Sequence, residues 1–174
     1  ARSLGDGRWM TDSTAIIQWM ETEFPTPAVI PHDALQRFFS LLLEDYADEW
    51  VTKAMFHYRW HYARDIEKAG DVLPLQYAGI CTPEAAVSLA KIQFTQRQTG
   101  RLDIVGSNPT TAPLIEAAYV RLLGLLDLHL QQHPCLMGAR PGTADFALYG
   151  QLTQLVQFDP TSMDVALAVS RRVV

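Results

Sequence analysis

The stretch Cys135 to Leu155, CLMGARPGTADFALYGQLTQL, decides the fold. It reads as a turn followed by a helix that is apolar on nearly every side. Ala144, Phe146, Ala147, Leu148, Leu152, Leu155 and Val156 leave only a thin polar stripe at Gln151 and Gln154. A helix of this kind belongs in the middle of a helical bundle. Gly142 is expected to cap it, with Asp145 at the third helical position, where a carboxylate reaches back to the capping residue's N–H and favours the positive end of the helix dipole. Gly150, inside the helix, costs about 1 kcal/mol relative to Ala, so its expected use is to let another helix approach closely.

Working outward, the remaining chain is predominantly helical. Residues 1–7 hold no pattern beyond a Gly-Asp-Gly turn, Arg8 to Met10 suit one short strand, and a helix is expected from about Asp12 to Phe24, ending before Pro25 and Pro27. Ala15, Ile16, Ile17, Trp19 and Met20 are more apolar surface than one face of that helix needs, so something else is expected to cover it. Pro25 to Pro31 reads as a semi-rigid linker. A helical pattern then runs unbroken from Asp33 to Ala69, with Asp33 as N-cap, Gln36 three residues on and Gly70 just past the end. Its length, beyond about 25 residues, predicts a bent bundle helix. One stripe, Phe39, Leu43, Ala47, Val51, Met55, Tyr58, Tyr62 and Ile66, advances by three or four and is expected in the core. A neighbouring stripe, Tyr46, Trp50, Lys53, His57, His61 and Arg64, is aromatic and polar. Further helices are predicted from Thr82-Pro83-Glu84 to Gly100, from Thr110 or Thr111 to His133-Pro134 along Ile115, Tyr119, Leu122, Leu126 and Leu130, and from Asp159-Pro160-Thr161 to Arg171.

Composition narrows the function. In 174 residues with 48% hydrophobic content there is room for one well-buried core. The net charge of −5, with 14 basic residues and no basic run, argues against nucleic acid and against an anionic membrane surface. No window approaches the ~18 apolar residues of a membrane span. Cys81 and Cys135, far apart and outside any C-x-x-C, suggest reduced thiols in a cytoplasmic setting.

Two stretches carry a family resemblance. Leu136-Met137-Gly138, Arg140-Pro141 and Ala144-Asp145-Phe146-Ala147-Leu148 resemble the capping-box helix at the centre of the C-terminal domain of cytosolic glutathione transferases, with Gly142 where that family usually has Ser or Thr. Trp9-Met10-Thr11-Asp12-Ser13-Thr14-Ala15-Ile16-Ile17 resembles the last strand and helix of the same family's thioredoxin-like domain. The resemblance implies an all-α, glutathione transferase C-terminal-like bundle over residues 32–174. Residues 25–31 would be its linker, and residues 1–24 a remnant, strand and helix, of a thioredoxin-like domain whose front is expected to be absent, as is a further helix at the C-terminus. It implies glutathione as substrate, conjugated to a small hydrophobic electrophile, and a homodimer. Asp12 and Ser13 would hold the γ-glutamyl end, Ser13 by binding its carboxylate and Asp12 by helping to hold its amino group. The Tyr, Ser or Cys that stabilises the thiolate is not identified in this sequence. A non-catalytic interaction module and a glutathione-dependent reductase or isomerase are the alternatives on the same scaffold.

Tyr46, Trp50, His57 and Trp60 are candidates for the wall of the electrophile groove, or for a subunit contact; packing of amphipathic aromatics is the plainer reading. His57, His61 and Asp65 fall at i, i+4 and i+8, but H-Y-R-W-H lacks the glutamate of H-E-x-x-H and three ligands over two turns do not reach one ion easily, so no metal is expected. Asp145 is assigned to structure with Gly142.

Overall fold

The computed structural model describes residues 2–3, 7, 9–77 and 82–174, and Arg8 and Cys81 lie outside them. Strands β1 (Arg2–Ser3) and β2 (Trp9–Met10) pair antiparallel, Arg2 opposite Met10. The first ten residues therefore contribute two short strands where the sequence pattern indicates one. Helix α1 (Ser13–Glu23) follows, and none of its residues is buried. It is tied to what comes next by polar bonds: Thr14 Oγ1 donates to Glu44 at 2.7 Å, and Glu21 accepts from the linker N–H of Val29 at 2.7 Å.

Helix α2 (Ala34–Asp45) is capped by Asp33, which accepts from Gln36 N at 2.9 Å. The predicted unbroken helix to Ala69 is not what forms. The chain widens into a π-helical turn over Tyr46–Val51, continues as α3 (Thr52–His61), and breaks at Tyr62, whose backbone is extended (φ −94°, ψ 131°), before α4 (Ala63–Val72). Gly70 sits inside α4, not beyond its end. A Cβ there would lie 2.7 Å from Thr95 Oγ1, so the glycine marks the close packing of α4 on α5 (Glu84–Thr99). Helix α5 starts with Pro83 in the capping position, one residue later than the expected Thr82, and buries none of its residues fully.

Helix α6 (Ala112–Leu130) and α7 (Thr143–Thr153) complete the centre, and α8 (Pro160–Val169) closes the bundle after a second π-helical turn over Gln154–Phe158. The core joins Ala47, Val51, Ala54 and Tyr58 to Ile115, Tyr119, Leu123 and Leu126 of α6, with Leu148, Leu155, Val156 and Ala166 beneath. The predicted stripe holds in its middle, whereas Phe39 at its start is exposed.

The capping of α7 is as expected at Asp145, which accepts from Gly142 N at 2.9 Å and also from Leu136 N at 2.8 Å, pinning the preceding turn. Gly142 has a second reason to be glycine: a Cβ there would stand 2.9 Å from the carbonyl oxygen of Val29, which accepts from Thr143 N at 3.2 Å. The linker is thus seated on the cap. Two expectations for α7 fail. It is not surrounded, because Phe146 and Tyr149 are 51% and 67% exposed. Nor does Gly150 admit a helix, since a Cβ there would meet nothing within 4 Å. No helix among the described residues is long and apolar enough to cross a membrane.

Candidate functional site

The Asp12–Ser13 corner is built by a backbone that L-residues rarely adopt. Asp12 has φ 77° and ψ 127°, and is the sole non-glycine with positive φ among the described residues. Such strain persists where surrounding structure holds it, and it clusters at functional sites. Here the hold is the carboxylate. Its Oδ1 accepts from Thr14 N at 2.9 Å and from Ala15 N at 3.3 Å, while Oδ2 takes no hydrogen bond among the described residues. The exposed hydroxyl of Ser13 makes no hydrogen bond among the described residues, and it stands at the positive end of the α1 dipole.

A cleft of about 530 Å³ opens beside that corner, between Asp12, Thr14, Ala15 and Gln18 on one side and Leu41, Glu44, Asp45, Asp48 and Glu49 on the other. Its wall is strongly acidic. Burial pushes the Asp48 carboxyl up, and the charges of Glu44, Asp12, Glu49 and Asp45 add to the shift. A field of this sign draws in an ammonium group and opposes any carboxylate that is not held by a specific donor.

Tyr46 and Trp50 lie elsewhere. With Leu43 they form one wall of a groove of about 660 Å³, whose other wall is Ala118, Arg121, Leu122, Leu125 and His129 of α6 and whose floor is Leu126, Leu136 and Leu148. Burial raises the Tyr46 hydroxyl's pKa, against an opposing pull from Arg121. Glu44 near the end of α2 faces the acidic cleft, and Tyr46 at the start of the π-helical turn faces the groove, two residues and therefore about 200° around the helix. The cleft and the groove open on different sides of one helix.

His57 and Trp60, expected with them, do not line the groove. His57 is fully buried and Trp60 is 2% exposed. The difference lies in what packs on α3: α5 covers Trp60, and the 100–111 loop and α6 cover His57, so α3 is buried on more than one face. Trp60 packs edge-on against Phe94, ring centroids 5.7 Å apart. His57 is held between two elements. Its Nε2–H donates to the Glu116 carboxylate at 3.1 Å, and in the neutral ring Nδ1 accepts from the Ser107 hydroxyl at 2.8 Å. Glu116 also accepts from the Tyr62 hydroxyl, a bond that stabilises the chain break at Tyr62. Burial lowers the His57 pKa, partly offset by Glu116; the Tyr62 hydroxyl is pushed up to about 12 by burial and by its bond to Glu116.

The order Ser107–His57–Glu116 resembles a nucleophilic relay, but its backbone donors are spent: Ser107 N donates to Leu102 O at 2.8 Å and Asn108 N to Thr111 Oγ1 at 3.0 Å. With Ser107 only 4% exposed, the cluster ties the 100–111 loop to the bundle and has no oxyanion site. His61 stacks on His57 with centroids 4.7 Å apart, while Asp65 turns away to accept from Thr161 N at 2.9 Å and from its hydroxyl. Among the described residues no group of three His, Cys, Asp or Glu is arranged to hold a metal ion. Burial, then Asp145, raises the pKa of the Cys135 thiol, the opposite of what a reactive cysteine needs.

Sequence periodicity missed the two acids that bolt α8 to the bundle. Asp159, fully buried, accepts from Arg59 Nε at 2.8 Å and from its Nη2 at 2.9 Å, and Asp65 supplies the bonds to Thr161 just described. The sequence carries no signal for this pair, since Arg59 lies outside both predicted stripes and Asp159 reads as the start of a helix. Compared with known proteins, the chain matches no family model and no curated protein.

Proposed function

We propose that this chain is a glutathione transferase-like protein, in which the Asp12–Ser13 corner takes the γ-glutamyl end of glutathione. The thiolate of that glutathione would attack a small hydrophobic electrophile. The observation that carries the reading is the corner itself. A strained aspartate fixes a helix start at which, among the described residues, neither the exposed Ser13 hydroxyl nor Asp12 Oδ2 makes a hydrogen bond. A γ-glutamyl group offers a carboxylate for the Ser13 hydroxyl and the helix end, and an ammonium for Oδ2 and the acidic wall of the cleft. In this reading the protein pairs with a second copy along the exposed ridge of Leu35, Phe38, Phe39 and Leu42 on α2.

Amide chemical shifts, titrated with reduced glutathione, test it directly. Ser13, Thr14 and Ala15 are expected to respond, weakly, because only one end of the tripeptide is engaged. Ser13→Ala is expected to weaken the fitted affinity roughly ten- to a hundredfold, the worth of about 1.5–3 kcal/mol for a hydrogen bond to a charged group. The helix survives that change, since Asp12 alone supplies the cap. An unchanged titration in Ser13→Ala would reduce the corner to a helix cap. The second reading, a non-catalytic interaction module, would then be the better one. It is favoured by the placement of the groove on the opposite side of α2 from Ser13, too far around the helix to present an electrophile to a thiol held there.

A further inference from the structure

The groove between α2 and α6 has a chemistry of its own, independent of the Asp12–Ser13 reading. Its volume of about 660 Å³ falls within the ~300–1,000 Å³ of small-molecule sites. Its floor is leucine: Leu126, Leu136 and Leu148. No carboxylate lines it. His129 spends its Nε2–H on the Cys135 carbonyl at 3.0 Å. Arg121 stands at the wall as a permanent charge, and among the described residues its guanidinium has neither a hydrogen bond nor an ion pair. Arg59, Arg64, Lys91 and Arg172 each have a carboxylate within reach, whereas Arg121 faces a groove that has none in its lining. An unpaired guanidinium beside apolar walls in an acidic protein complements a ligand with one anionic head on a hydrocarbon or aryl body.

We infer that this groove binds an amphipathic carboxylate, its apolar body against Leu126, Leu136 and Leu148 and its head on Arg121, with Tyr46 and Trp50 closing the opposite wall. The anion belongs here and not in the acidic cleft, which repels it. The size of the groove admits a medium-length alkyl chain or a two-ring aryl group.

The test uses the whole chain, with decanoate as the probe, decanol as its uncharged counterpart, and displacement of a fluorescent anilinonaphthalene sulfonate as the readout. Saturable displacement by decanoate is expected, with decanol weaker. Arg121→Leu should weaken decanoate about tenfold and leave decanol unchanged, a split that loss of folding cannot produce. Ala118→Phe, which fills the groove from its α6 wall without entering the core, should weaken both. Equal binding of decanoate by Arg121→Leu and the parent would overturn the inference, as would displacement that Ala118→Phe does not affect. Sedimentation of the same samples adds one more outcome: a dimer that binds no decanoate would assign the groove to a second copy of the chain.

Discussion

The α3–α4–α8 corner and the outer surface of α1, α2 and α7 are built on opposite plans. In the corner, polar side chains are buried and paired across about 100 residues of sequence: Arg59 with Asp159, Asp65 with Thr161. On the outer surface, apolar side chains such as Leu35, Phe38, Phe146 and Tyr149 face solvent, and α1 has no fully buried residue. The corner holds the fold together. The outer surface, with its cleft and its groove, is where this molecule has unspent binding capacity.

The difference can be broken most forcefully at Asp159. Its carboxylate is fully buried and takes two bonds from Arg59, whose Nη2 also donates to Gln154 at 2.9 Å. Asp159→Ala leaves a guanidinium buried without its anion, an outcome that costs about 3–5 kcal/mol when one partner of a buried pair is removed. A drop of that size in denaturant unfolding is expected. Replacing both residues with apolar ones of similar volume should recover most of it, because the desolvation cost of the pair disappears with the pair.

How legible this was depends on what each region rests on. Helix starts were readable because Asp33 and Asp145 cap locally and because Asp159 precedes Pro160 at the start of α8, although its carboxylate is spent on Arg59. The Arg59–Asp159 and Asp65–Thr161 bonds were not, since periodicity carries no information about which polar residues meet across 100 positions. The π-helical turn at Tyr46–Val51 was equally hidden. So were the contacts that take His57 and Trp60 into the interior, Ser107 and Glu116 for the first and Phe94 for the second. The Asp12–Ser13 corner was readable as residues, whereas its positive φ and the acidic cleft beside it appear only in three dimensions.

A second, smaller effect separates the regions by pH. His57 has its pKa lowered from 6.5 by burial in the interior. Between 6.5 and the lower folded value the unfolded chain therefore binds more protons than the folded one, so stability rises with pH across that window. It is complete above about pH 6.5 and declines as pH falls through the folded pKa. Burial alone would raise the Glu116 pKa, but its bonds to Tyr62 and His57 lower it on balance, which adds a loss of the same sign below 4.5. Unfolding free energies measured between pH 7.5 and 5.5 should show this slope, and His57→Gln should flatten it. A slope unchanged in His57→Gln would place the titrating group elsewhere.

The smallest effect has the opposite sign and belongs to the open side. Gly142 and Gly150 lie at the cap and within the last turn of the same helix, yet only the first is held by a neighbour. A Cβ at Gly142 would press on the Val29 carbonyl at 2.9 Å, while one at Gly150 would meet nothing within 4 Å. Gly150 is exposed and helical, so what decides the outcome there is backbone entropy: Ala is preferred to Gly in a helix by about 1 kcal/mol. Gly150→Ala is therefore expected to stabilise the protein by about 0.5–1 kcal/mol, a rise in the denaturant midpoint at unchanged slope. The carbonyl of Gly150 accepts from Thr153 Oγ1 at 2.9 Å, a bond that alanine keeps because it uses only the backbone. A loss of stability instead would mean that another surface packs against the outer face of α7 in solution, and a loss that grows with protein concentration would identify that surface as a second copy.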